Sequence, residues 1–140
     1  MATTAHFKVV MLVDDNKIDA ILNKKVLEKD SFSESVIVHN SSTKALEYLE
    51  SIAANTDEYI PSLIFVDMMM PEMNGFQFVE KFEKLPQSIQ DDAKIVFMSG
   101  SLLSQDQLEK LSHCKSVIKF VSKPLNKESL TIVLDLYKSL

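Results

Sequence analysis

Five times along this chain, a short apolar run gives way to a segment whose apolar residues recur every three or four positions. The runs are residues 8–13, 35–39, 63–66, 94–98 and 117–121. They are short and rich in β-branched residues, which suits buried strands rather than core helices. The segments between them read as helices. Residues 16–29 carry Ile18, Ile21, Leu22 and Val26 on one face. Residues 42–54 turn Ala45, Leu49, Ile52 and Ala53 inward, and residues 74–85 carry Phe78, Val79 and Phe82. A fourth helix begins at Ser104, where Ser104 and Gln107 have capping-box spacing. A fifth follows Asn126, with Leu130, Val133, Leu134 and Tyr137 in period. Such alternation predicts an α/β fold: a parallel sheet, helices on both faces, right-handed crossovers. Residues 55–61 and 86–93 read as the longest connectors.

Composition narrows what such a fold can do. The 140 residues are expected to form a single domain, with a core over about residues 8–138 and no output domain. Net charge is −5 and every basic residue is a lysine. Nucleic-acid affinity rests largely on basic patches that neutralise phosphates, so direct nucleic-acid binding is not expected. No apolar stretch approaches the ~18 residues of a membrane span. The first seven residues lack a signal-peptide layout, so a cytoplasmic protein without membrane contact is the expectation. Cys114 stands alone and can form neither an internal disulfide nor a multi-cysteine zinc site. Only Gly75 and Gly100 are glycines, which excludes a glycine-rich phosphate loop.

Chemistry-bearing residues collect at the strand ends. Open parallel sheets bind ligands outside the carboxyl ends of their strands. The first strand runs into Asp14-Asp15, the third into Asp67, the fourth into Ser99, and the fifth approaches Lys123. In the doubly wound order these four strands are neighbours. Three carboxylates, a hydroxyl and an ammonium then converge. Two like charges ~4 Å apart repel by about 4 kcal/mol at an effective dielectric near 20. Such a set needs a cation, a proton or solvent between its members. All-oxygen ligands that leave room for water suit Mg2+. A metal, a lysine and a nucleophilic carboxylate together equip a site for phosphoryl transfer.

The constellation resembles the receiver domain of two-component response regulators, over residues 8–138. The resemblance is carried by Asp14-Asp15, Asp67, Met68 to Met70 with Pro71, Gly75, Ser99-Gly100, Phe120 and Lys123-Pro124, each in order. It implies a single-domain, flavodoxin-like (βα)5 receiver with strand order 2-1-3-4-5. It implies that Asp67 accepts a phosphoryl group from a phosphohistidine on a sensor histidine kinase or a histidine phosphotransfer protein. Asp15 would bind Mg2+ (or Mn2+) directly and Asp14 mostly through water, with Asp67 and the backbone carbonyl of Met69 as further ligands. Ser99 and Lys123 would hold the phosphoryl oxygens. Phe120 would be the aromatic that reports the phosphorylated state. The fourth helix, fifth strand and fifth helix would dock an unknown downstream protein. The Lys123–Pro124 peptide is often cis in such domains.

Plainer roles compete for each residue. Aspartates cap helices, serines end strands, and a lysine before proline is usually solvated. Pro71 and Gly75 account for loop geometry, Gly75 through a backbone conformation that other residues resist. Gly100 is small enough to admit a phosphoryl group. Met68, Met69, Met70, Met73 and Met98 read as adaptable packing. His6, His39 and His113 read as surface or edge residues, and Cys114 as structural. Two other functions share parts of the pattern. A haloacid-dehalogenase-type phosphatase needs an aspartate where Met69 stands. A flavodoxin-like cofactor site would set phosphate against Asp14 and Asp15. A receiver-like scaffold that does not use phosphate is a further alternative.

The resemblance implies that the side chains two positions after the aspartate and two after the hydroxyl residue tune phosphoryl lifetime; here these are Met69 and Ser101, neither acidic nor amide. Strongly enhanced self-dephosphorylation is therefore not expected. If Met69 controls access of water, Met69→Asn changes the phosphoryl lifetime; an unchanged decay rate would remove Met69 from that role.

Overall fold

The computed structural model describes residues 5–55 and 57–140. Residues 1–4 of the N-terminal stretch and Thr56 of the first long connector lie outside them. The chain runs β1 (Phe7–Val13), α1 (Lys17–Glu28), β2 (Ser33–His39), α2 (Ser42–Ala53) and β3 (Leu63–Asp67). It continues through α3 (Gly75–Phe82), α4 (Gln87–Asp92), β4 (Lys94–Ser99), α5 (Gln105–Ser112), β5 (Val117–Ser122) and α6 (Lys127–Lys138). The five strands form one parallel sheet in the order β2-β1-β3-β4-β5, which is the expected doubly wound arrangement.

Strand side chains alternate between two cores, as the period of two requires. Met11, Val13, Ile64, Val66, Ile95 and Phe97 point to one face, where they meet Leu49 and Ile52 of α2 and Phe78 and Phe82 of α3. Val10, Leu12, Leu63, Phe65, Val96 and Met98 point to the other, against Leu27 of α1 and Leu130 and Val133 of α6. Both faces of β3 and β4 are covered, which is why these strands read as unbroken apolar runs. Among the described residues, no helix is long and apolar enough to cross a membrane.

Three expectations need correction. The apolar face expected on α1 is largely its solvent face: Ile18, Ile21 and Leu22 are all exposed. The buried residues are Ala20, Asn23 and Leu27. Asn23 can turn inward because its Oδ1 accepts the Leu125 backbone N–H at 2.9 Å, which satisfies a buried polar atom. The connector at 86–93 contains a helix, α4, so there are six helices among the described residues. Its six residues include one buried apolar side chain, Ile89, too few for a visible period.

The third correction concerns the glycines. Neither has a positive φ. Gly75 opens α3 in close quarters: an added Cβ would lie 2.5 Å from Met68 Sδ and 3.0 Å from Phe97 Cε1. An absent side chain, rather than an unusual backbone, is what this position requires. At Gly100 a Cβ would meet nothing within 4 Å. Gly75→Ala is therefore expected to lower stability by about 1–3 kcal/mol, the usual range for overpacking a tight site. Gly100→Ala should stay within about 0.5 kcal/mol of the native protein. Urea denaturation of both variants checks this contrast.

Candidate functional site

Register brings the special residues level. Val13 pairs with Val66, so Asp14 and Asp67 each stand one step beyond that pair or at its edge. Asp67 pairs with Met98, which sets Ser99 one step further, and Ser99 pairs with Ser122, directly before Lys123. Backbone bonds lock these ends: the Met68 N–H donates to Met98 O at 2.8 Å and the Lys123 N–H to Ser99 O at 2.8 Å. The Lys123–Pro124 peptide is cis.

Lys123 reaches into the resulting cleft. Its Nζ lies 2.7 Å from Asp67 Oδ2, 2.9 Å from Asp14 Oδ2 and 3.1 Å from Asp19 Oδ2. The Asp67 and Asp19 contacts are aligned hydrogen bonds. The Asp14 contact is close in distance but not aligned, so Asp14 Oδ2 is buried without a hydrogen-bond donor. The remaining oxygens of the buried pair are held by backbone: the Asn16 N–H donates to Asp14 Oδ1 and the Met69 N–H to Asp67 Oδ1, each at 2.9 Å. Asp15 is exposed at the rim.

The charges respond to this crowding. Burial pushes the Asp14 carboxyl above its ordinary value, and the favourable contacts of Lys123 and the Asn16 N–H only partly offset it. Burial alone would push the Lys123 ammonium down, but Asp67 and then Asp14 outweigh it and leave the lysine above its ordinary value. Asp14, Asp15 and Asp67 each bring a carboxylate oxygen to within 4.8 Å of the others. An all-oxygen set with one buried, undonated oxygen fits a hard divalent cation that keeps some of its waters.

The other expected residues surround this centre. Ser99 is buried, and its Oγ accepts the Ser101 N–H at 3.1 Å. Phe120 is half-buried against the core beneath α2 and α3. Met68, Met70, Met73 and Met98 are packed as expected, whereas Met69 is 66% exposed and cannot be counted as packing. Pro71 is exposed in the loop after Asp67. His39 departs from a plain edge residue: it is half-buried and its Nε2 has no hydrogen-bond partner.

Sequence reasoning missed two contributors. Asp19 lies 104 residues from Lys123, so no local spacing links them, and an acid in the first turn of a helix is commonplace. Glu72, in the Pro71 loop, accepts Ser41 Oγ at 2.8 Å and the Thr43 N–H at 3.2 Å, tying that loop to the start of α2. Nothing in the local sequence singled it out: Glu72 is the one acid among residues 68–74.

Comparison with known proteins gives a consistent result. The family model of the response regulator receiver domain matches residues 10–135. The hybrid signal transduction histidine kinase C of Dictyostelium discoideum is 27% identical over 89% of this chain, which spans 10% of that protein. The response regulator Rre1 of Synechocystis sp. is 26% identical over 89% of this chain, which spans 48% of it. The crystal structure of a two-component response regulator from Cytophaga hutchinsonii is similar over 95% of this chain and 98% of its own. It has a TM-score of 0.84 and 26% identity.

The undonated oxygen generates a stability prediction. Asp14→Asn removes a buried charge that burial disfavours, while Lys123 keeps Asp67 and Asp19. Without divalent metal, this variant is expected to be more stable by about 1–3 kcal/mol, the scale of an unsatisfied buried polar group. Chemical denaturation in chelator measures it; a destabilised variant would show instead that the Lys123–Asp14 contact is net favourable.

Proposed function

The chain belongs to the response regulator receiver domain family, and on that premise we propose that Asp67 accepts a phosphoryl group from a phosphohistidine of a partner protein. The observation that carries this reading is the convergence of a buried carboxylate, an ammonium 2.7 Å away, and a second and third carboxylate at the same strand ends. An Asp67 oxygen attacks phosphorus, the phosphorus–nitrogen bond of the donor breaks, and the histidine leaves neutral after gaining a proton. The backbone N–H of Met69 fixes the Asp67 carboxylate in orientation. Lys123 follows the charge onto the phosphoryl oxygens, and the Ser99 hydroxyl, now bound to its own loop, is close enough in sequence and register to join it.

Asp14, Asp15 and Asp67, with the backbone carbonyl of Met69, would hold Mg2+. Bound there, the ion neutralises charge that develops on the phosphoryl oxygens. A sensor histidine kinase or a histidine phosphotransfer protein is the proposed donor. One relative bears the name of a hybrid histidine kinase, which supports it.

Output is proposed through α5, β5 and α6. Helix α5 has no buried residue, and Leu102 before it and Leu108 on it are exposed. Such a lightly packed element can shift between two arrangements at small energetic cost. Phe120 on β5 would respond to the change at Ser99 and Lys123, and a downstream protein would read the surface. The chain therefore acts as a signalling module that catalyses only its own phosphorylation and dephosphorylation. The phosphatase alternative lacks its general acid, because Met69 occupies that position.

Incubation with Mg2+ and a small phosphodonor such as acetyl phosphate, followed by intact-mass measurement, tests this reading. One base-labile phosphoryl adduct is expected, absent in Asp67→Asn and in chelator. No adduct with the small donor or with a phosphorylated histidine phosphotransfer protein would overturn it.

A further inference from the structure

We propose that Asp19 is a positioning residue for Lys123: it holds the ammonium when the Asp14–Asp15–Asp67 cluster takes up a divalent cation. The inference rests on the phosphoacceptor reading of that cluster and concerns how its lysine is managed. Lys123 Nζ touches Asp67 and Asp14, both members of the cluster, at 2.7 and 2.9 Å. Any cation drawn to those oxygens competes with the ammonium for them and repels it. Lys123 is largely buried, with 12% side-chain exposure, so losing its partners without replacement is unfavourable. Asp19 sits outside the cluster, already 3.1 Å from the same nitrogen and aligned for a hydrogen bond. Asp19 and Lys123 together line a separate surface pocket with Leu22, Asn23, Gly100 and Pro124.

The backbone holds this partner in place. The Asp19 N–H donates to Asn16 Oδ1 at 3.0 Å, fixing the start of α1. Four residues on, Asn23 Oδ1 accepts the Leu125 N–H at 2.9 Å and clamps α1 to the loop that bears Lys123. The ammonium can therefore leave Asp14 by a small pivot and still keep a carboxylate. A helix-dipole role for Asp19 would stabilise α1 but would not depend on Lys123.

Calorimetric titration of Mg2+ into the native protein, Asp19→Asn, Lys123→Met and the double variant separates these roles. In the native background, Asp19→Asn is expected to weaken Mg2+ binding by about three- to tenfold, the scale of coupling between contacting residues. With Lys123→Met, the same substitution should weaken it by no more than about twofold. Asp19→Glu should restore most of the affinity. Equal weakening in both backgrounds would mean only a lost charge, and no weakening in either would leave Asp19 without a role; each overturns the proposal. If Lys123→Met fails to fold, the Lys123 ammonium resonance decides. With Mg2+ bound it should persist in the native protein and vanish into solvent exchange in Asp19→Asn; persistence in both overturns the proposal. A native protein that takes no Mg2+ would strike the phosphoacceptor reading itself, and this inference with it.

Discussion

A single ammonium opposes the mutual repulsion of the carboxylates on which this site is built. Asp14 and Asp67 are buried at adjoining strand ends, and Lys123 lies between them and Asp19. Without that charge, two buried carboxylates would face each other in a medium that screens them poorly. The chain has no arginine, so no guanidinium can share the task. The price of concentrating acid here is visible in Asp14, whose carboxyl is pushed up by burial and whose Oδ2 has no donor. That imbalance is the observation on which the proposed cation site rests.

The fold exists to keep those groups level. Parallel pairing with matched register brings β1, β3, β4 and β5 to a common edge, and two apolar layers prevent the strands from slipping. The connections carry their own locks. Glu72 ties the loop after Asp67 to the start of α2, and Asn23 ties α1 to the loop after β5. Gly75 lets α3 begin directly against Met68 and Phe97. Helix α5 is different: none of its residues is buried.

What the sequence disclosed follows from which forces act locally. Strands covered on both faces leave an unmistakable apolar signature, and residues that end them are legible as a set once the strands are ordered. The set of Asp14, Asp15 and Asp67 is brought together as expected. Helix α1 misled because apolar spacing was equated with burial. Its Ile18, Ile21 and Leu22 face solvent, while the polar Asn23 faces inward with its hydrogen bond satisfied across 102 residues. Helix α4 escaped because one buried isoleucine in six residues creates no period. Asp19 was invisible for a related reason: its partner is defined by tertiary contact alone.

The most direct measurement locates the acyl phosphate chemically. Borohydride reduces an aspartyl phosphate to homoserine, which peptide mass mapping then assigns to one position. After phosphorylation with Mg2+ present, homoserine is expected at position 67 and nowhere else. Homoserine at Asp14 or Asp15, or phosphate retained on a hydroxyl or histidine with Asp67 unmodified, would contradict the role of Asp67 as phosphoacceptor.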